Sequence, residues 1–97
     1  MKARKLFHFK DRQGDALIEM VIWELPTQSE ARPHGLTYRM YCGRAGECIV
    51  RYDNETGKGD HRHHGLSEES YHFESLEKLI EDFRNDCSRL ADWRWET

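Results

Sequence analysis

Ninety-seven residues, 37% of them hydrophobic and 11% aromatic, are enough for one thin core and too few for two, so residues 1–97 read as a single domain. An aromatic share of that size argues against a disordered chain. The net charge of −3 argues against nucleic-acid binding through bulk charge, but residues 1–54 hold 9 Lys+Arg to 7 Asp+Glu while residues 55–97 hold 6 to 11. A mildly basic half therefore precedes an acidic one. No apolar run approaches the ~18 residues of a membrane span. The basic start, Met1 to Lys5, leads into a stretch broken by His8 and Lys10, short of the roughly 7–15 apolar residues of a secretory leader. Three cysteines at irregular spacing make no disulfide framework. The expected compartment is the cytoplasm.

In chain order, residues 2–10 mix apolar and polar side chains with β-favouring aromatics, and D-R-Q-G at 11–14 supplies a turn. Residues 15–25 are apolar on both faces, and their β-branched and aromatic content favours a central strand over a helix. A polar connection with both prolines covers 26–33. Leu36, Tyr38, Met40 and Cys42 alternate with Thr37, Arg39 and Tyr41. After G-R-A-G at 43–46, Cys48, Val50 and Tyr52 alternate with Ile49, Arg51 and Asp53. Residues 54–70, with three glycines and many charges, read as a long exposed loop, a place where function concentrates. Leu76, Leu79, Ile80, Phe83, Cys87 and Leu90 form one helical stripe over 75–90, with Ser75 as N-cap, Glu74 and Glu77 near the positive end and Arg89 near the other. The predicted fold class is α+β: a two-layer arrangement in which an antiparallel sheet of three to five strands is covered on one face by the C-terminal helix.

A three-residue loop at 44–46 with Gly46 left-handed sets Cys42 opposite Cys48, Met40 opposite Val50 and Tyr38 opposite Tyr52 on the helix side. Arg39 then faces Arg51, and Thr37 faces Asp53, on the other side. Two opposed arginines need something negative between them: Asp53, Glu19 or a phosphate. The cysteines are expected reduced and buried, Cys42 near Cys48 and Cys87 on the helix stripe.

Two constellations carry chemistry. In R-Y-D-N, strand alternation puts Arg51 and Asp53 on one face, and the guanidinium is a planar fork for phosphate or carboxylate. The plain alternative is an edge salt bridge followed by a turn-forming Asn54. In G-D-H-R-H-H, His61, His63 and His64 crowd a glycine-flanked segment, with His72 further on, as suits proton transfer near neutral pH or a metal. A solvated basic loop is the plain reading. Structural zinc needs four N or S ligands, and no Cys-x-x-Cys supports it. Trp93 and Trp95 cap the core or touch a partner; His8 and His34 carry no signal.

A hairpin ending in R-Y-D-N, a glycine-bearing His-rich segment and then Y-H-F-E-S-L-E-K-L-I-E-D-F resembles the TumE-like toxins of prokaryotic toxin–antitoxin systems, over about residues 36–90. The matching parts are Arg51, Asp53, Asn54, His63, His64 and the aromatic-led helix. The resemblance implies a growth-inhibiting toxin with a helix-turn-helix antitoxin encoded alongside and RNA as its target. The residues themselves fit a metal-independent ribonuclease with no cofactor. His63 or His64 serves as base and acid, Arg51 with Arg39 holds the phosphate, Asp53 orients a neighbour, and Asn54 and His61 contact substrate. Two other readings stay open: a non-enzymatic interaction module using the exposed face with Trp93 and Trp95, and a metal-binding domain using Asp60, His61, His63 and His64. A homo-oligomer is compatible with all three.

Overall fold

Along Ala16–Glu24 the even-numbered Ala16, Ile18, Met20 and Ile22 are buried to 2% exposure or less, while Leu17, Val21 and Trp23 on the other side stay half-exposed. That alternation, repeated in the next two strands, builds the sheet of this computed structural model, which describes residues 2–30, 32–54 and 59–95. Six strands pair in sequence order, each antiparallel to the next. They are β1 (Arg4–Gln13), β2 (Ala16–Glu24), β3 (Leu36–Arg44), β4 (Glu47–Asp53), β5 (His61–His64) and β6 (Ser67–Ser70), followed by helix α1 (Leu76–Ala91). The class is the expected α+β, but the strand count exceeds three to five. The added pair, β5 and β6, is made from the segment read as loop; residues 55–58 of that segment lie outside the described residues.

The turns are tighter than expected. β1 runs on through Asp11 and Arg12 to Gln13, which pairs with Ala16, so the turn is Gly14 and Asp15 and not residues 11–14. Polar residues on an exposed edge do not stop a strand; the left-handed Gly14 (φ 58°) does. Between β3 and β4 the turn has two residues, Ala45 (φ 52°) and Gly46 (φ 80°), both left-handed, with Arg44 paired to Glu47. A bulge then shifts the register, so that Cys42 faces Val50, Met40 faces Tyr52, Tyr41 faces Arg51 and Arg39 faces Asp53. The two opposed arginines of the sequence reading are therefore not opposed. Cys48 lies across from Gly43, half-buried on the face away from the helix, because one extra residue moves a side chain to the other face. All three cysteines are free, and the thiol beside Cys42 is that of Cys87, not Cys48.

Helix α1 starts where Ser75 accepts a hydrogen bond from the Lys78 backbone N–H at 3.1 Å. It ends at the left-handed Asp92 (φ 54°), after which the Trp93 N–H returns to the Cys87 carbonyl at 3.2 Å. Leu79, Phe83, Cys87 and Ala91 are buried against β3 and β4, and Leu76 and Ile80 pack at the margin. Burial of a side chain such as Leu79 or Phe83 stabilises by roughly 1.5–3 kcal/mol. Leu90, assigned to the stripe from sequence, is exposed. Trp93 is buried, and Trp95 sits on Phe9 with ring centroids 5.8 Å apart, so the chain after the helix covers part of the same side over β1. No helix among the described residues is long and apolar enough to cross a membrane. The opposite side of the sheet carries no element among the described residues.

Candidate active site on the open sheet face

The ladder pairs sort the open-face side chains into rows running across the strands. One row is Lys5, Trp23, Thr37; the next is His8, Val21, Arg39, Asp53, His61; the third is Lys10, Glu19, Tyr41, Arg51, His63, Glu68. Rows are about 6.8 Å apart, two residues of strand. With Arg12 at the next level, the face holds five cations (Lys5, Lys10, Arg12, Arg39, Arg51) against three carboxylates (Glu19, Asp53, Glu68). It is thus net positive in a chain of net charge −3.

The second and third rows concentrate the chemistry on β4 and β5. Arg51 Nη2 lies 3.1 Å from His63 Nε2, and Arg51 Nε lies 3.0 Å from Asp53 Oδ2. His63 Nε2 is 3.6 Å from Asp53 Oδ1, and its Nδ1 is 3.8 Å from Glu68 Oε2. A guanidinium has only donors, so the contact with His63 makes Nε2 the acceptor and places the proton of a neutral ring on Nδ1, toward Glu68. The Arg51–Asp53 contact is short, but its N–H does not point along it. Arg51 Nε is a buried donor without a hydrogen-bond partner, the kind of group that calls for an explanation. His61 stands one row over, its Nε2 3.6 Å from Glu68 Oε1 and its Nδ1 3.0 Å from the Gly59 carbonyl. Of the residues singled out from sequence, Arg39, Arg51, Asp53, His61 and His63 thus share one uncovered face.

His64 does not join them. One residue on from His63, it faces the helix side, with Nε2 3.3 Å from Asp86 Oδ2. There Asp86, buried on α1, also accepts from the Tyr52 hydroxyl at 2.6 Å and from Arg89 at 3.0 Å, while Arg62 donates to the Tyr52 oxygen and pairs with Glu69. Burial above all, and Asp86 behind it, hold the Tyr52 phenol above its ordinary value against the opposing pull of Arg62. Burial also pushes the Asp86 carboxyl upward, but Tyr52, Arg89, His64 and Arg62 together outweigh it and hold the group below its ordinary value. The network pins the β5–β6 hairpin to the helix.

Asn54 is 1% exposed. Its Oδ1 accepts from the Tyr38 N–H at 2.9 Å and its Nδ2 donates to the Leu36 carbonyl at 2.8 Å, extending the pairing of β3 beyond the end of β4. Both ends of the amide are engaged in the backbone, so the structure makes it a fastener.

Three features escaped the sequence. Glu68 lies beside both His61 and His63; its signal was present, since H-R-H-H and S-E-E-S around Gly65 are charge-complementary strands of a short hairpin. Asp86 carries no motif in the sequence, and only the fold brings it to Tyr52, His64 and Arg89. His34, read as silent, packs its ring 4.1 Å from Phe73 and meets Asp60 at 3.1 Å, while Tyr38 donates to the same carboxylate at 2.6 Å. With Asp60 engaged there and His64 on the other face, the set Asp60, His61, His63 and His64 does not converge. Among the described residues no group of three or more His, Cys, Asp or Glu side chains has metal-holding geometry.

A family model described as "Toxin TumE" matches residues 2–91. No curated protein and no solved structure gives a significant match to the chain.

Proposed function

The chain belongs to the TumE toxin family, and from that premise we propose that it is the toxin of a toxin–antitoxin pair, acting in the cytoplasm on RNA by metal-independent cleavage. A helix-turn-helix antitoxin is the partner in this reading. The observation that supports it most is the Arg51–His63 contact on an open face, with a buried guanidinium donor left over. A phosphodiester seated on Arg51 and Arg39 takes the guanidinium donors that now hold His63. The freed Nε2 lone pair of His63 accepts the proton of the 2′-hydroxyl. The 2′-oxygen attacks phosphorus, and the bond to the 5′-oxygen breaks. His61, as an imidazolium, returns a proton to that oxygen, leaving a 2′,3′-cyclic phosphate and a 5′-hydroxyl. Asp53 holds Arg51 and His63 in register, and Glu68 keeps the His63 proton on Nδ1.

The test is expression of wild type and single variants in a bacterial host, paired with RNA cleavage in excess chelator. His63→Ala and Arg51→Ala should each lower cleavage by about 10²–10⁴-fold and relieve growth inhibition. His64→Ala, on the other face, should retain cleavage wherever it folds. Growth inhibition by His63→Ala and Arg51→Ala equal to wild type would leave a toxin that acts by binding alone.

A further inference from the structure

The open face has two shallow depressions, and Arg39 belongs to both. One, of ≈ 350 Å³, lies among Val21, Trp23, Thr37, Tyr38, Arg39 and Asp53. The other, of ≈ 190 Å³, lies among Leu17, Glu19, Val21, Arg39 and Tyr41. Both sit at or below the low end of the roughly 300–1,000 Å³ that a whole small-molecule ligand occupies, and each has one aromatic side chain from the open face, Trp23 in the first and Tyr41 in the second, Tyr38 being buried on the helix side. Each aromatic side chain has a neighbour on the sheet. Lys5 Nζ stands 5.1 Å from the centre of the Trp23 ring. A Cβ at Gly43 would collide with the Tyr41 hydroxyl and the Glu47 carbonyl, so the tip of the Tyr41 ring fills the space over Gly43 and the ring lies along the sheet. Trp23 belongs to the first row and Tyr41 to the third, with Arg39 between them. Steps of about 6.8 Å along β3 are of the order of one step of an extended sugar–phosphate backbone. Tyr41 also stands directly beside Arg51 in its row, with His63 next.

We propose that these depressions are base subsites for single-stranded RNA: one base stacks on Trp23, another on Tyr41, and the intervening backbone lies over Arg39 with a phosphate at Arg51. The proposal rests on the RNA-cleavage reading and adds what that reading lacks, the form of the substrate and the residues that seat it. The occupant follows from charge and shape together. A net positive face with two planar walls suits an anionic polymer with planar side groups, and stacking on aromatics requires unpaired bases. In a duplex the bases are stacked on one another and cannot reach either ring. Leu17 and Val21 complete an apolar floor that a base covers and a bare phosphate does not.

The experiment titrates the full-length protein against a fluorescent 2′-O-methyl RNA octamer, which binds but cannot be cut, and against the same octamer annealed to its complement. The single strand should bind more tightly than the duplex. Trp23→Ala and Tyr41→Ala should each weaken it by about 5–150-fold, the range for loss of one stacked base, while Trp23→Phe and Tyr41→Phe keep most of the affinity. Trp23→Leu and Tyr41→Leu, which retain apolar cover, serve if an alanine variant melts early and should still lose the stacking. Binding unchanged in the alanine or leucine variants, or equal for strand and duplex, overturns the proposal. If wild type cuts RNA yet its binding ignores Trp23 and Tyr41, the subsites are wrong and the cleavage reading stands. Aromatic-dependent binding without cleavage gives the reverse.

Discussion

Asn54 gives the sharpest separation between a substrate contact and a structural fastener. Replacing it with alanine removes the acceptor of the Tyr38 N–H and the donor to the Leu36 carbonyl, both on buried residues, beside a side chain that is itself 1% exposed. Each orphaned buried polar group costs roughly 1–3 kcal/mol, so Asn54→Ala should lose about 2–6 kcal/mol. A 97-residue domain has a total stability of only about 5–15 kcal/mol. At about 4–8 °C per kcal/mol for a domain of this size, the melting temperature should fall by at least about 8 °C. Circular dichroism melts and urea titrations on both proteins measure it. Asn54→Asp is the control: it keeps the acceptor for Tyr38 but sets a carboxylate oxygen against the Leu36 carbonyl. It should therefore be unstable at neutral pH and recover as the pH falls and a protonated acid restores the donor. A melt of Asn54→Ala within about 4 °C of wild type, or less than 1 kcal/mol, combined with weakened RNA binding, would refute the fastener argument and return Asn54 to the substrate.

Two other expectations follow from buried groups. The Asp86 carboxyl sits below its ordinary value in the folded protein, so it contributes stability above the unfolded value of ~3.9 and loses that contribution as pH falls from there through the folded value. Asp86→Asn should flatten the fall of urea midpoint with pH below about 4; an unchanged slope rules out this carboxylate as a source of acid sensitivity. Of the three thiols only Cys48 reaches solvent, and burial raises it against the pull of Arg51. A thiol reagent at pH 7 should label one cysteine slowly in the native protein and three after unfolding, and labelling of two or none before unfolding would contradict the register.

What was legible in the sequence came from strong periodicity. The stripe through Leu79, Phe83 and Cys87 specified the helix, Ser75 its start, and the alternation from Leu36 to Tyr52 the two strands. The register was not legible, because it turned on Ala45 adopting a left-handed conformation that alanine disfavours. One bulged residue then moved Cys48 to the open face and replaced an Arg39–Arg51 pairing with Arg39–Asp53. The histidine segment was misread for another reason. H-R-H-H and S-E-E-S have no apolar alternation, so nothing in their hydropathy separates an edge hairpin from a loop. The expectation that Arg51 and His63 share one site agrees with their contact despite both errors, because it needed only that one imidazole return beside β4. The identity of that imidazole did not survive for His64, whose face was decided by strand parity.

The imidazoles facing Arg51 ride on the least secured part of the sheet. Neither β5 nor β6 buries a side chain fully, β6 is exposed along its whole length, and the hairpin is held by four ladder pairs to β4, by the His63 contacts with Arg51 and Asp53, and by the Arg62, His64 and Asp86 ties. The free energy needed to peel it away therefore lies below that of unfolding Tyr52, Phe83 and the strands around them. Amide protons of β5 and β6 then exchange through local opening while those of β2 and β3 wait for the whole molecule. Such an opening carries off His61 and His63 but leaves Arg39 and Arg51 on the remaining sheet, so the molecule can lose its proton-transfer groups and keep its anion site.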